Sequence, residues 1–298
     1  ARYRRIPGGA LMSEENTTID AVAETDAEAA NRSTSGYHMG AVDTVISVED
    51  VNKQAKAMAE VIPVERIAEL AGNDPFLRID NLKAGYGKME ILHDFNLQVA
   101  KGQSLCLIGP NGAGKSTILH SIFGFTNIFS GNILVGDGDN KTDVTAMTSS
   151  QKLKHGGIAY ILQDKSIFPG MTVEENLWMG GYLMDTPDQA KEAAERVFAK
   201  YDRLAARRTH AAGVLSGGER RLLEISRALV MGPEVLLVDE PSIGLEPRFI
   251  DMVFEILDDL QHAEGKTIIM VEQNAKKGLE FADVGYVLVS GELAIAGK

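Results

Sequence analysis

The string Gly109-Pro110-Asn111-Gly112-Ala113-Gly114-Lys115-Ser116-Thr117 joins small, turn-forming residues to one cation and two hydroxyls, directly after an apolar run at 105–108. Glycines let backbone N–H groups turn inward around phosphate oxygens, and a helix opening at 117–123 would aim its positive end at the same anion. Lys115 can then reach the β and γ phosphates of a nucleotide, and the Ser116 hydroxyl can bind Mg²⁺. Strand, glycine loop and helix in this order form a P-loop. A second group, Asp239-Glu240, ends the apolar run 235–238, which offers one carboxylate to hold Mg²⁺ and one to polarise water as a general base. Taken alone that segment is a strand running into an acidic turn. A third group, Leu215-Ser216-Gly217-Gly218-Glu219, precedes a helical run at 220–231 with capping-box spacing between Ser216 and Glu219. It reads equally as a well-capped helix with a flexible entrance or as a second anion cradle able to grip a γ-phosphate.

These groups need a scaffold, and the composition supplies one. The chain has 298 residues, 44% of them apolar, with 30 basic and 42 acidic side chains for a net charge of −12. That is the balance of a folded globular protein, and it argues against a nucleic-acid binder relying on overall positive charge. No apolar run approaches the ~18 residues of a membrane-spanning helix, so any membrane role would be peripheral. The single cysteine, Cys106, excludes an intrachain disulfide framework and a cysteine-rich zinc site, and its apolar neighbours make it a small buried hydrophobe.

Short apolar runs at 105–108, 158–162, 235–238 and 267–271 are separated by helix-length segments, which predicts an α/β fold with a largely parallel sheet covered on both faces. Segments 76–80, 91–99 and 132–135 read as a flanking antiparallel sheet, and 286–290 with 293–296 as a closing hairpin through Gly291-Glu292. Residues 1–46 are polar and poor in large apolar side chains, predicting a disordered extension, with 1–11 lying upstream of a start at Met12. Residues 47–75 are expected to hold a short helical segment and linker: Val51, Ala55, Met58 and Ile62 make an apolar stripe that stops at Pro63. A domain covering 76–298 then carries the chemistry.

The ordered set GPNGAGKST at 109, Gln163, LSGGE at 215, LLVDEP at 236 and SIGLE at 242 resembles the ATPase subunit of an ATP-binding cassette (ABC) transporter over roughly 76–297. The resemblance implies a P-loop NTPase of ABC type, with a helical subdomain at about 165–230. It implies ATP and Mg²⁺ as ligands, and two such domains head to tail, so that the P-loop of one faces the LSGGE of the other. It further implies that Tyr86 stacks on adenine, that Gln163 contacts Mg²⁺ or the attacking water, that Asp239 holds the metal, and that Glu240 is the base. Two residues depart from the family pattern: Gln273 stands where most members have a His that contacts the γ-phosphate, and Glu246 where Asp is usual. Gln can donate a hydrogen bond to phosphate but cannot carry the charge of a protonated His. The expectation is therefore the weaker of two unequal sites, paired with a different ATPase subunit.

The strings VEQNA, DEPSIGLEP, FPGMTVEENL and GYVLVSGELAIAG are similar to the second ATPase subunit of branched-chain amino acid importers. Such a subunit would work at the cytoplasmic face of the inner membrane with two permease subunits and, indirectly, a periplasmic solute-binding protein. Lipopolysaccharide export is the rival, since LSGGERR suits it, but that family would read Asp-His-Asn rather than Glu-Gln-Asn at 272–274. A regulatory or non-transport ABC ATPase is the other alternative. Members of the resembled family also continue past the final hairpin.

Overall fold

The computed structural model describes residues 62–163 and 166–298. The apolar runs become β3 (Ser104–Ile108), β6 (Ile158–Ile161), β7 (Val235–Asp239) and β8 (Thr267–Val271). Every residue of β7 and β8 is buried, as strands covered on both faces require. With β9 (Val284–Val289) and β10 (Glu292–Gly297) they form a six-stranded sheet of order β10-β9-β3-β8-β7-β6, parallel except for the antiparallel β9–β10 hairpin.

A second sheet is antiparallel, with order β2-β1-β4-β5, built from β1 (Leu77–Tyr86), β2 (Met89–Val99), β4 (Asn127–Val135) and β5 (Thr142–Asp143). Three of these strands outrun the sequence expectation, β2 by only two residues. β1 continues to Tyr86 because irregular register near Leu82 and Ala84 lets it bend and stay paired past the polar Asp80-Asn81 step, and β4 begins at Asn127. Helix α2 (Lys115–Phe123) lies between the sheets and buries Ile118, Leu119 and Ile122 in their shared core, and a short α3 (Ser149–Lys154) precedes β6.

The helical layer comprises α4 (Val173–Gly180), α5 (Pro187–Lys200), α6 (Asp202–Ala205) and α7 (Gly217–Leu229). Val173, Leu177, Ala194, Phe198, Leu204 and Leu223 give it a core of its own. Capping boxes at Thr172, Thr186 and Ser216 start three of these helices. Helix α7 reaches both cores, since Ile225 packs with Val253 and Leu257 of α8 (Pro247–His262) under the parallel sheet.

The helix expected before Pro63 and the extension 1–46 lie outside the described residues. Within the segment 47–75, expected to hold a short helix and linker, the residues after Pro63 form α1 (Val64–Leu70), which buries Ile67 and Leu70 in the main core. Pro63 sits at the N-cap, where a residue of fixed φ with no N–H to lose opens a helix as readily as it ends one.

Candidate active site

Four parallel strands end at one edge, and each hands over a residue singled out in the sequence: Gly109 after β3, Gln163 after β6, Asp239 and Glu240 at the end of β7, and Gln273 after β8. Ligands of open α/β sheets bind at such carboxyl ends. The loop fits there because it has no Cβ where space is shortest: one added to Gly109, at φ +148°, would lie 2.4 Å from the Leu288 carbonyl oxygen. Gly114, at φ +95°, then turns the chain into α2.

Lys115 is nearly buried, and its Nζ donates to the Gly109 and Pro110 carbonyls at 2.9 and 3.0 Å. Burial lowers its pKa, while Glu240 and Asp239 oppose that shift. The Ser116 hydroxyl donates to Asp239 Oδ1 at 3.3 Å, and the Tyr160 hydroxyl donates to Oδ2 at 2.8 Å. Glu240 is forced to φ +45°, and its N–H is tied to the Val271 carbonyl at 2.8 Å. Such a backbone is uncommon for a non-glycine residue and persists only where the surrounding structure holds it. Burial and the Asp239 charge raise the Glu240 pKa, and Gln163 Nε2 donates to its Oε2 at 2.8 Å. The structure thus brings 109–117, Gln163, Asp239 and Glu240 together.

The oxygen set suits Mg²⁺, which takes one or two protein ligands and completes its shell with water and nucleotide phosphates. Asp239 and Ser116 already converge. No cluster of three or more His, Cys, Asp or Glu side chains forms a cage among the described residues, and Mg²⁺ held with a nucleotide needs none.

Tyr86 ends β1 with its ring 42% exposed, and its hydroxyl lies 2.5 Å from Nδ1 of His120 on α2, which brings it to the P-loop helix. Gln273 is exposed beyond β8. Ser216 and Gly217 are exposed, whereas Gly218 is buried beneath Phe249, whose ring a Cβ at 218 would meet at 2.2 Å. Ser216 Oγ accepts the Glu219 N–H at 3.3 Å and Glu219 Oε2 accepts the Ser216 N–H at 2.9 Å, leaving the hydroxyl proton of Ser216 to point elsewhere. No hydrogen bond among the described residues joins 215–219 to 109–117.

Four residues escape the sequence reading. Tyr160, the one phenol in an apolar strand, is signalled only by its position three residues before Gln163. His120 has no signal beyond lying on α2. Glu272 is 2% exposed, and its Oε1 accepts from Ser242 Oγ at 2.7 Å and from the Asn274 N–H at 2.9 Å. Arg221 donates to the Leu162 carbonyl at 2.8 Å and to Glu224 at 2.9 Å, tying α7 to the residue before Gln163.

A mixed sheet with a strand–glycine loop–helix phosphate cradle and a carboxylate pair two strands away defines a P-loop nucleoside-triphosphate hydrolase. The ABC transporter family profile matches residues 92–243. Among curated relatives, the branched-chain amino acid transport ATP-binding protein BraG of Pseudomonas aeruginosa is 40% identical over 219 residues, spanning 74% of this chain and 91% of that protein. The probable branched-chain amino acid transport ATP-binding protein LivF of Archaeoglobus fulgidus is 38% identical over 221 residues, with coverage of 74% and 91%. The lipopolysaccharide export ATP-binding protein LptB of Haemophilus influenzae is 30% identical, with coverage of 74% and 90%. A solved ATP-binding cassette of an ABC transporter in its ADP conformation superposes with a TM-score of 0.66 at 29% identity, covering 76% of this chain and 91% of that one. The chain belongs to the ABC transporter family as an ATP-binding, ATP-hydrolysing cassette.

Proposed function

We propose that this chain binds MgATP on its P-loop face, closes on a second, different ATPase subunit, and drives the import of branched-chain or related amino acids through two permease subunits. The observation that carries the reading is the meeting of Lys115, Ser116, Asp239, Glu240 and Gln163 at one sheet edge, with LSGGE unconnected to it.

In this reading the loop amides and Lys115 exchange their carbonyl contacts for phosphate oxygens, and the exposed ring of Tyr86 offers a stacking face to adenine. Ser116, Asp239 and Gln163 would hold Mg²⁺, which would supply positive charge to offset that of the nucleotide phosphates. Glu240 accepts a proton from the attacking water, and a pKa raised toward the working pH suits a base. Gln163 is bonded to that carboxylate and orients it. Gln273 donates to the γ-phosphate without adding charge. The partner's P-loop takes the Ser216 hydroxyl and the Gly217 entrance of this chain, and the second subunit supplies the reciprocal cradle.

A groove of about 390 Å³ beside β6 is lined by Leu162, Phe168, Met179, Tyr182 and Arg227. The first four are exposed apolar or aromatic residues, which supports this groove as the face that meets a permease. No helix of the described residues is long and apolar enough to cross a membrane, and we place the chain peripherally on the cytoplasmic side. The solute-binding protein would act through the permeases.

The amino-acid reading draws on the similarity to BraG and LivF and on Glu272-Gln273-Asn274. ATP-driven uptake of labelled leucine, isoleucine and valine into vesicles carrying the assembled transporter tests it. Lys115→Ala should abolish uptake. Undiminished uptake contradicts the reading, and loss of lipopolysaccharide export with normal uptake would move the chain to its rival.

A further inference from the structure

Asp239 is 7% exposed, and both its oxygens are engaged in the fold: Oδ1 accepts from Ser116 at 3.3 Å and Oδ2 from Tyr160 at 2.8 Å. The second bond is the shorter and comes from a side chain with little freedom. The Tyr160 ring lies 5.6 Å from Phe123, 5.8 Å from His120 and 5.9 Å from Phe125, ring centre to ring centre, so three aromatic neighbours fix where its hydroxyl points. Two of them, His120 and Phe123, stand on α2, the helix that carries Lys115 and Ser116. The phenol is thus aligned by the same helix that positions the loop.

We propose that Tyr160 is a positioning residue for the metal: its hydroxyl holds Asp239 Oδ2 so that Oδ1 stays beside Ser116, where Mg²⁺ would bind. The inference rests on the reading of Asp239 as the metal-holding carboxylate. A neutral phenol suits this task better than a cation would. Lys or Arg at 160 would orient the carboxylate but offset the charge that attracts Mg²⁺, whereas a phenol orients it and leaves the charge in place. Partners that orient a ligating carboxylate typically contribute 10–100-fold to metal affinity or activity.

The test uses the full chain and compares the dissociation constant of ATP in EDTA with that in Mg²⁺, giving the gain in affinity due to metal. Tyr160→Phe keeps the ring and removes only the hydroxyl. It should leave the melting temperature and the EDTA value nearly unchanged while cutting the metal-dependent gain about tenfold. With Mn²⁺ and ATP, its electron paramagnetic resonance spectrum should differ from that of the parent complex. Asp239→Asn serves as the reference and should lose the gain altogether. If Asp239→Asn loses the gain and Tyr160→Phe keeps the parental gain and spectrum, the phenol only packs and the inference is overturned while the metal site stands. If neither variant changes the gain, Asp239 does not hold the metal and both readings fall.

Discussion

The P-loop face and the LSGGE face are assembled in different ways. On the first, Lys115, Ser116, Asp239, Glu240 and Gln163 come from three strand ends of one buried sheet, and each already has a hydrogen-bond partner there: Ser116 with Asp239, Gln163 with Glu240, and Lys115 with the carbonyls of its own loop. On the second, Ser216 and Gly217 stand exposed at the start of a helix whose layer has its own core, and the bonds of the Ser216 side chain stay within the capping box. The first face is preorganised, so its groups need little rearrangement to meet a nucleotide. The second is a capped helix start, exposed and without a hydrogen bond to the first among the described residues. The proposed split site draws on that contrast, with one chain supplying the chemistry and the other closing it.

The largest expected effect falls on the preorganised face. Glu240→Gln keeps the bond with Gln163 available and removes the proposed base, so ATP binding should persist while steady-state turnover of the assembled transporter drops by roughly 10² to 10⁴. Wild-type turnover would assign the base elsewhere. Gln273→His tests how far this face is weakened by a neutral side chain, and turnover should rise a few-fold without a change in ATP affinity. An unchanged rate would show that Gln273 is not the weak point.

On the other face, Gly218→Val inserts atoms where Phe249 already packs. It should lower stability by about 1–3 kcal/mol, the usual cost of overpacking, read as a lower denaturation midpoint. An unchanged midpoint would mean that Gly218 is kept open for phosphate rather than filled by its own chain.

The smallest effect concerns the anchor of the P-loop helix. Lys152 is fully buried and donates to the Ser121 carbonyl at 3.2 Å near the end of α2. Burial pulls its pKa from 10.5 down to about 8. Between those values the unfolded chain holds a proton the folded chain has released, so stability from this group rises with pH across that window and is lowest below pH 8. Lys152→Met should remove that rise, measured as denaturation midpoints of variant and parent at pH 7 and 9.5. A parallel pH response in the two proteins would contradict it.

The chemistry of this fold was legible where it is local in sequence. The nine residues 109–117 state their own geometry, because glycine spacing, Lys115 and Ser116 answer one ligand. The strands of the parallel sheet, though not their order, followed from apolar runs too short for helices. What was not legible is side-chain aim across the fold. Tyr160 reads as an aromatic in a buried strand until the pairing of β6 with β7 brings it to Asp239. Glu272 reads as a strand-end charge until Ser242 is found on its carboxylate. Pro63 was read only as a stop, and it also stands at the N-cap of α1, because a fixed φ with no N–H to lose opens a helix as readily as it ends one.

The split-site account is tested most directly by Ser216→Arg, which places a bulky cation in the exposed cradle and touches nothing on the chain's own P-loop. Calorimetric ATP binding and ATPase activity should be measured on the isolated chain and on membranes containing both ATPase subunits. The account predicts slow hydrolysis by the isolated chain, parental ATP affinity in the variant, and loss of turnover in the assembled complex. An isolated chain as fast as the complex, with Ser216→Arg silent in both, would contradict it.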